Sequence, residues 1–111
     1  MATARTADDK KATDIMVLEV GERLIVTDFF VICTGRTDRQ VKTIMQAIRD
    51  KLGEEKIRPL WVSGESQGLW VVMDYGSVVV HIFREEERDY YQLERLWRDA
   101  PSVDWEEARP A

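Results

Sequence analysis

Two apolar β-runs joined by a short turn constrain this chain more than any other segment. Residues 69–83 read Leu-Trp-Val-Val-Met-Asp-Tyr-Gly-Ser-Val-Val-Val-His-Ile-Phe and contain the only histidine, His81. A two-residue turn at Tyr75-Gly76 would pair Asp74 with Ser77, Val72 with Val79 and Trp70 with His81. A longer type I loop would shift that pairing. Alternation along the strands then sorts the side chains. One face carries Leu69, Val71, Met73, Val78, Val80 and Ile82 and reads as core. The other carries Trp70, Val72, Asp74, Ser77, Val79, His81 and Phe83. That mixed face suits either a covering helix or a surface with an aromatic anchor and a polar rim.

The flanking sequence gives the hairpin a sheet to join. Ile15–Val20 is a strand candidate that follows a short N-terminal helix, and Gly21-Glu22 is a turn. Asp28–Thr34 is apolar and β-branched, as in a buried strand. Thr37-Asp38-Arg39-Gln40 fits a capping box. Val41, Ile44, Met45, Ile48 and Leu52 then share one helix face, with Gly53 placed as a left-handed cap. A strand at about Arg58–Val62 completes a strand-helix-strand unit, which predicts that it runs parallel to Asp28–Thr34 in one sheet. Glu85-Glu86-Glu87 opens a last helix, where acids suit the positive end of the helix dipole. Tyr90, Leu93 and Trp97 mark its stripe and Ala100-Pro101 its end. The expected class is α/β (α+β), a mixed sheet with flanking helices. Residues 1–100 form one domain and 101–111 an acidic tail, in which Trp105 either tacks onto the domain or docks elsewhere.

Charge and chemistry narrow the function classes. The net charge of −5 is uneven: residues up to Arg84 hold 12 basic and 12 acidic side chains, and those from Glu85 onward hold 9 acidic and 4 basic. A broad nucleic-acid footprint needs clustered Lys and Arg, which this balance lacks. No run approaches the roughly 18 apolar residues of a membrane span, and the first residues lack the apolar centre of a signal peptide. A cytoplasmic protein with no membrane contact is expected. Cys33 sits in an apolar run and reads as a buried thiol rather than a nucleophile. His81 has neither a paired nucleophile nor companion metal ligands and reads as structural or hydrogen-bonded. The turn into the first long helix, with Arg36 and Arg39, is a weak anion-site signal. Two-metal nucleotidyl transfer needs paired strand carboxylates, and only Asp74 stands near. No catalytic residue, metal or cofactor is expected.

Several blocks then add a family. Val17-Leu18-Glu19-Val20, residues 27–35 (Thr-Asp-Phe-Phe-Val-Ile-Cys-Thr-Gly), Asp38-Arg39-Gln40-Val41, Pro59-Leu60, Gly64-Glu65, residues 70–76, residues 78–83 and residues 91–97 (Tyr-Gln-Leu-Glu-Arg-Leu-Trp) stand in one order at matching spacing. Over about Asp14 to Trp97 the chain resembles the ribosomal silencing factor (RsfS, Iojap) family. The resemblance implies a nucleotidyltransferase-like fold without the catalytic carboxylates. It also implies a function: binding large-subunit ribosomal protein fourteen (L series), blocking association with the small subunit and lowering translation when nutrients are scarce. The free form is expected to be a homodimer and the ribosome-bound form a monomer. Carried onto this sequence, the partner-binding positions are Trp70, Val72, Asp74, Tyr75 and Gly76, with Tyr91 and Trp97 behind or beside them. Trp70 is the expected apolar anchor, Asp74 the partner of a Lys or Arg, and Gly76 the turn residue; Trp97 also fits the core. Ser77 stands where many relatives have Asp, which removes one acid from the turn. The other readings are a nucleotide-binding enzyme of nucleotidyltransferase type and an RNA-contacting domain using Arg36, Arg39 and Lys42.

Overall fold

The computed structural model describes residues 2–106. A mixed five-stranded sheet is built from β1 (Thr13–Glu19), β2 (Phe29–Gly35), β3 (Trp61–Ser63), β4 (Trp70–Asp74) and β5 (Val78–Arg84), in the order β1-β2-β5-β4-β3. Only the β2–β5 pair is parallel; β1–β2, β4–β5 and β3–β4 are antiparallel. β3 therefore runs in the same sense as β2, as the strand-helix-strand reading requires. The pair is separated by β5 and β4, and β3 is only three residues long.

Helices α1 (Ala2–Asp9) and α2 (Asp38–Gly53) cover one face. Val41, Ile44, Met45 and Ile48 of α2 are buried against Val71, Met73, Val80 and Ile82, so the hairpin face expected to be core is core. The start of α2 follows the capping box, since Gln40 N–H donates to Thr37 Oγ1 at 3.1 Å. The Gln40 side chain reaches back one residue further than a standard box. Its Oε1 accepts from Arg36 N–H at 2.7 Å, and its Nε2 donates to the carbonyls of Lys10 and Lys11. The end of α2 departs from expectation. Gly53 is its last residue, Glu54 continues right-handed, and the left-handed residue is Lys56 (φ 61°). The Lys56 and Ile57 N–H groups still return to the Gly53 and Leu52 carbonyls.

The hairpin register also departs. Trp70 pairs with Phe83, Val72 with His81 and Asp74 with Val79. The two-residue turn is Gly76-Ser77, closed by Tyr75 N–H donating to the Val78 carbonyl at 2.9 Å. The tight hairpin turns require a positive φ at their first central residue. Gly76 takes it at φ 87°, where Tyr75 would be strained. Moving the turn by one residue moves every pair by two, so the faces stay as assigned.

The last helix is two. α3 (Glu85–Tyr91) ends at Gln92, left-handed at φ 47°, and α4 (Leu93–Leu96) follows at a new angle. The expected stripe breaks with it: Leu93 and Trp97 pack on the sheet, while Tyr90 is exposed. Beyond Pro101 the chain runs along β1. Glu19 N–H donates to the Pro101 carbonyl, Val103 N–H to that of Val17, and Ser102 bridges Leu18. Trp105 is buried in the α2-side core, with its indole N–H 3.4 Å from the Ile15 carbonyl. Of the two roles open to Trp105, it takes that of a tack; residues 107–111 of the expected tail lie outside the described residues.

Candidate functional site: a half-covered sheet face

The sheet face opposite α2 carries three rows of side chains set by strand register. The first is Leu18, Phe30, Val79, Asp74 and Trp61; the second Met16, Ile32, His81, Val72 and Ser63; the third Thr34, Phe83 and Trp70. Leu24, Leu93, Trp97 and Ala100 cover the β1–β2 half. The β4–β3 half is open. Trp70, Val72 and Asp74 are half-buried there, and Trp61 is 65% exposed.

Trp70 is held on several sides. Its ring stacks on Phe83 at 4.7 Å and meets Tyr91 at 4.9 Å. Its Nε1–H donates to His81 Nδ1 at 3.2 Å. Its carbonyl lies so close to Gly64 (φ 78°) that no Cβ fits there. His81 is edge-on to Phe30 at 4.8 Å, and Phe30 in turn meets Trp97 edge-on at 5.3 Å. Burial pushes the His81 pKa down to about 4. The ring is therefore neutral, and the bond from Trp70 places its single proton on Nε2.

The expected site residues do not all meet. Trp70, Val72 and Asp74 share the outer face, with half-exposed Tyr91 at its margin. Trp97 lies behind them against Phe30. Asp74 turns one oxygen onto Gly76 N–H at 2.8 Å and so also fixes the turn. Tyr75 belongs to the other side of the sheet, among the residues packed on the α2-side core. Burial raises its pKa, and Arg49 partly offsets that rise. Gly76 sits at the turn, beside Leu60. Sequence reading missed Trp61. An apolar residue in a strand reads as core unless the strand is known to be an edge.

The other chemical candidates resolve into structure. Cys33 is fully buried and its thiol is pushed up to about 12 by that burial, so it is no nucleophile. Amides at and just before the start of α2 are taken by local side chains. Arg36 N–H goes to Gln40, Arg39 N–H to Asp38 and Gln40 N–H to Thr37, which leaves a poor cradle for an anion. In the acidic run, Arg84 grips Glu87 through two contacts of 2.6 and 2.9 Å; that hydrogen-bonded guanidinium holds the Glu87 carboxyl below its usual range. Arg88, nearly buried, donates to Thr34 Oγ1 at 2.7 Å and to Glu94 at 2.8 Å, tying both short helices to β2. Among the described residues no helix is long and apolar enough to cross a membrane.

Beside Trp70 a cavity of about 530 Å³ is lined by Tyr90, Tyr91, Glu86, Glu87 and Gln67. Arg84 already holds both carboxylates, and the aromatic faces suit a further cationic side chain.

Comparison with known proteins agrees with this architecture. The family described as "Ribosomal silencing factor during starvation" matches residues 1–111. The ribosomal silencing factor RsfS of Bacillus subtilis is 44% identical over 101 residues, covering 91% of this chain and 86% of that protein. The chloroplastic protein Iojap of Zea mays is 34% identical over 94% of this chain and 45% of its own length. Among solved structures, a Bacillus halodurans protein superposes with a TM-score of 0.81 at 37% identity over 92% of each chain. A Chromobacterium violaceum protein does so with a TM-score of 0.83 at 32% identity, over 86% of this chain and 80% of its own. With a full-length family match and relatives of this similarity in both sequence and fold, the chain belongs to the ribosomal silencing factor (RsfS/Iojap) family.

Proposed function

We propose that this protein binds the large ribosomal subunit through large-subunit ribosomal protein fourteen (L series) and blocks the small subunit sterically, repressing translation under nutrient limitation. It acts in the cytoplasm and makes or breaks no bond. The observation that carries the reading is the open half of the outer sheet face. Trp70, Val72 and Asp74 stand there at half burial, flanked by exposed Trp61. A half-covered aromatic with a polar rim is the usual centre of a docking patch. Asp74, and the negative charge left on Glu86 and Glu87 after Arg84 has paired with both, favour a partner that presents Lys or Arg. Without a ribosome, two copies cover the same apolar face in a homodimer that separates on docking. Arg36, Arg39 and Lys42, at the start of α2, supply a minor contact with rRNA beside the protein interface.

Co-sedimentation tests the reading. The protein is expected to pellet with large subunits alone and to leave subunits unjoined; failure to pellet at low salt overturns it. Trp70→Ala is expected to weaken binding by at least about 2 kcal/mol, as for a buried aromatic anchor, with the circular dichroism of the folded protein retained. Wild-type affinity in that variant would remove Trp70 from the interface.

A further inference from the structure

Among the described residues, His81 is the one buried titratable group on the docking face to which the proposed binding assigns no task. The residue is 7% exposed. Its Nδ1 accepts the Trp70 indole N–H at 3.2 Å. Its Nε2, which must then carry the proton, is buried without a hydrogen-bond partner among the described residues. A buried donor left unsatisfied is unfavourable, and an apolar side chain of similar shape would avoid it. The position lies between Ile32 and Val72 in an otherwise apolar part of its row. The imidazole therefore brings a local penalty that its aromatic neighbours alone do not explain. What it supplies is an acceptor at one point, facing the half-exposed indole.

That indole needs such an acceptor to keep one orientation. Phe83 and Tyr91 pack on the Trp70 ring, but ring packing tolerates sliding and rotation about the side-chain torsions. A hydrogen bond to a ring that is itself enclosed sets which edge of the indole faces inward. Phe30 and Phe83 hold the imidazole in turn, edge-on and stacked. Preorganising an anchor residue lowers the ordering entropy lost on association.

We infer that His81 is a positioning residue for partner docking, fixing the Trp70 indole through its Nδ1 acceptor so that the open sheet face is preformed. This rests on the reading of Trp70 as a docking anchor. It differs from a packing role, because only the acceptor matters for it.

The isosteric pair His81→Asn and His81→Leu separates the two roles. Both lose the imidazole ring. The Asn amide oxygen takes the position of Nδ1, whereas Leu has a methyl group there. The first readout needs no ribosome: the ¹⁵N-indole N–H resonances, with that of Trp70 assigned by its loss in Trp70→Phe. Protection of the Trp70 signal from solvent exchange is expected in wild type and His81→Asn and is lost in His81→Leu. The second readout is affinity for large subunits. His81→Leu is expected to fall at least about tenfold, in the range of a weakened anchor, with His81→Asn closer to wild type. A folded His81→Leu protein with a protected Trp70 signal and wild-type affinity overturns the inference. So does a His81→Asn protein as impaired as His81→Leu, which makes His81 a packing residue. If wild type itself fails to bind, the docking reading falls, and the indole signals still decide whether His81 orients Trp70.

Discussion

At the scale of single residues, the clearest consequence of the His81 environment is a pH dependence of stability. Its pKa is lowered by burial to about 4 in the folded state, against about 6.5 in an unfolded chain. Between these values the unfolded chain binds a proton that the folded protein does not. Stability from this group is therefore complete above pH 6.5 and lost as pH falls toward 4, by roughly 3 kcal/mol at most. Chemical denaturation across that range should show the loss in wild type and a much smaller one in His81→Leu. Equal slopes would mean that His81 titrates normally. Its chemistry was partly legible in the sequence. A lone histidine without nucleophile or metal partners pointed to a hydrogen-bonded role, which the Trp70 contact fills. Tyr75 was misplaced because the sequence reading put it in the turn; with the turn one residue later it continues the Val71–Met73 alternation and falls on the α2 side.

At the scale of elements, periodicity gave β1, β2, β4, β5, α2 and both hairpin faces, because each has an apolar pattern with one dominant partner; β3, expected at about Arg58–Val62, forms only at Trp61–Ser63. It failed where a single backbone angle decides. The charged and aromatic run from Glu85 reads as one helix, yet Gln92 turns left-handed and divides it. The division aims α3 along the margin of the outer face, with Tyr91 on Trp70, and lets α4 bring Leu93 onto the sheet. The left-handed conformation is unfavourable by about 1 kcal/mol or more for a residue with a side chain, and glycine is the residue most often found at such a helix end. Gln92→Gly is thus expected to raise stability by up to about 1 kcal/mol, read as a shift in urea midpoint at unchanged slope. A loss of stability would mean that the Gln92 side chain makes a contact worth more than the strain. The edge position of β3 was likewise hidden. Local sequence shows that Trp61 and Val62 alternate but not that no strand lies beyond them.

At the scale of the whole molecule, the chain closes on itself at one side. Ala100 packs on the outer face, Pro101–Val103 pair along β1, and Trp105 enters the α2-side core. The last described residues thereby clasp both faces of the sheet. The sequence left Trp105 open between a tack and a docking residue, since one tryptophan among charges carries no period. Trp105→Ala is expected to lower stability by about 3 kcal/mol, as for a large buried aromatic, measured by thermal melting; an unchanged midpoint would make the clasp ornamental. The clasp has a further consequence. An exposed strand edge is a template on which other chains can add. Here Pro101–Val103 occupy the Val17–Glu19 part of the β1 edge, and β3 ends the five-strand order. Two copies that met edge to edge at β3 would form a ten-stranded sheet whose two outer β1 edges are each occupied along Val17–Glu19. Adding a further strand there would first have to displace the clasp, which favours a closed pair over an open-ended fibre.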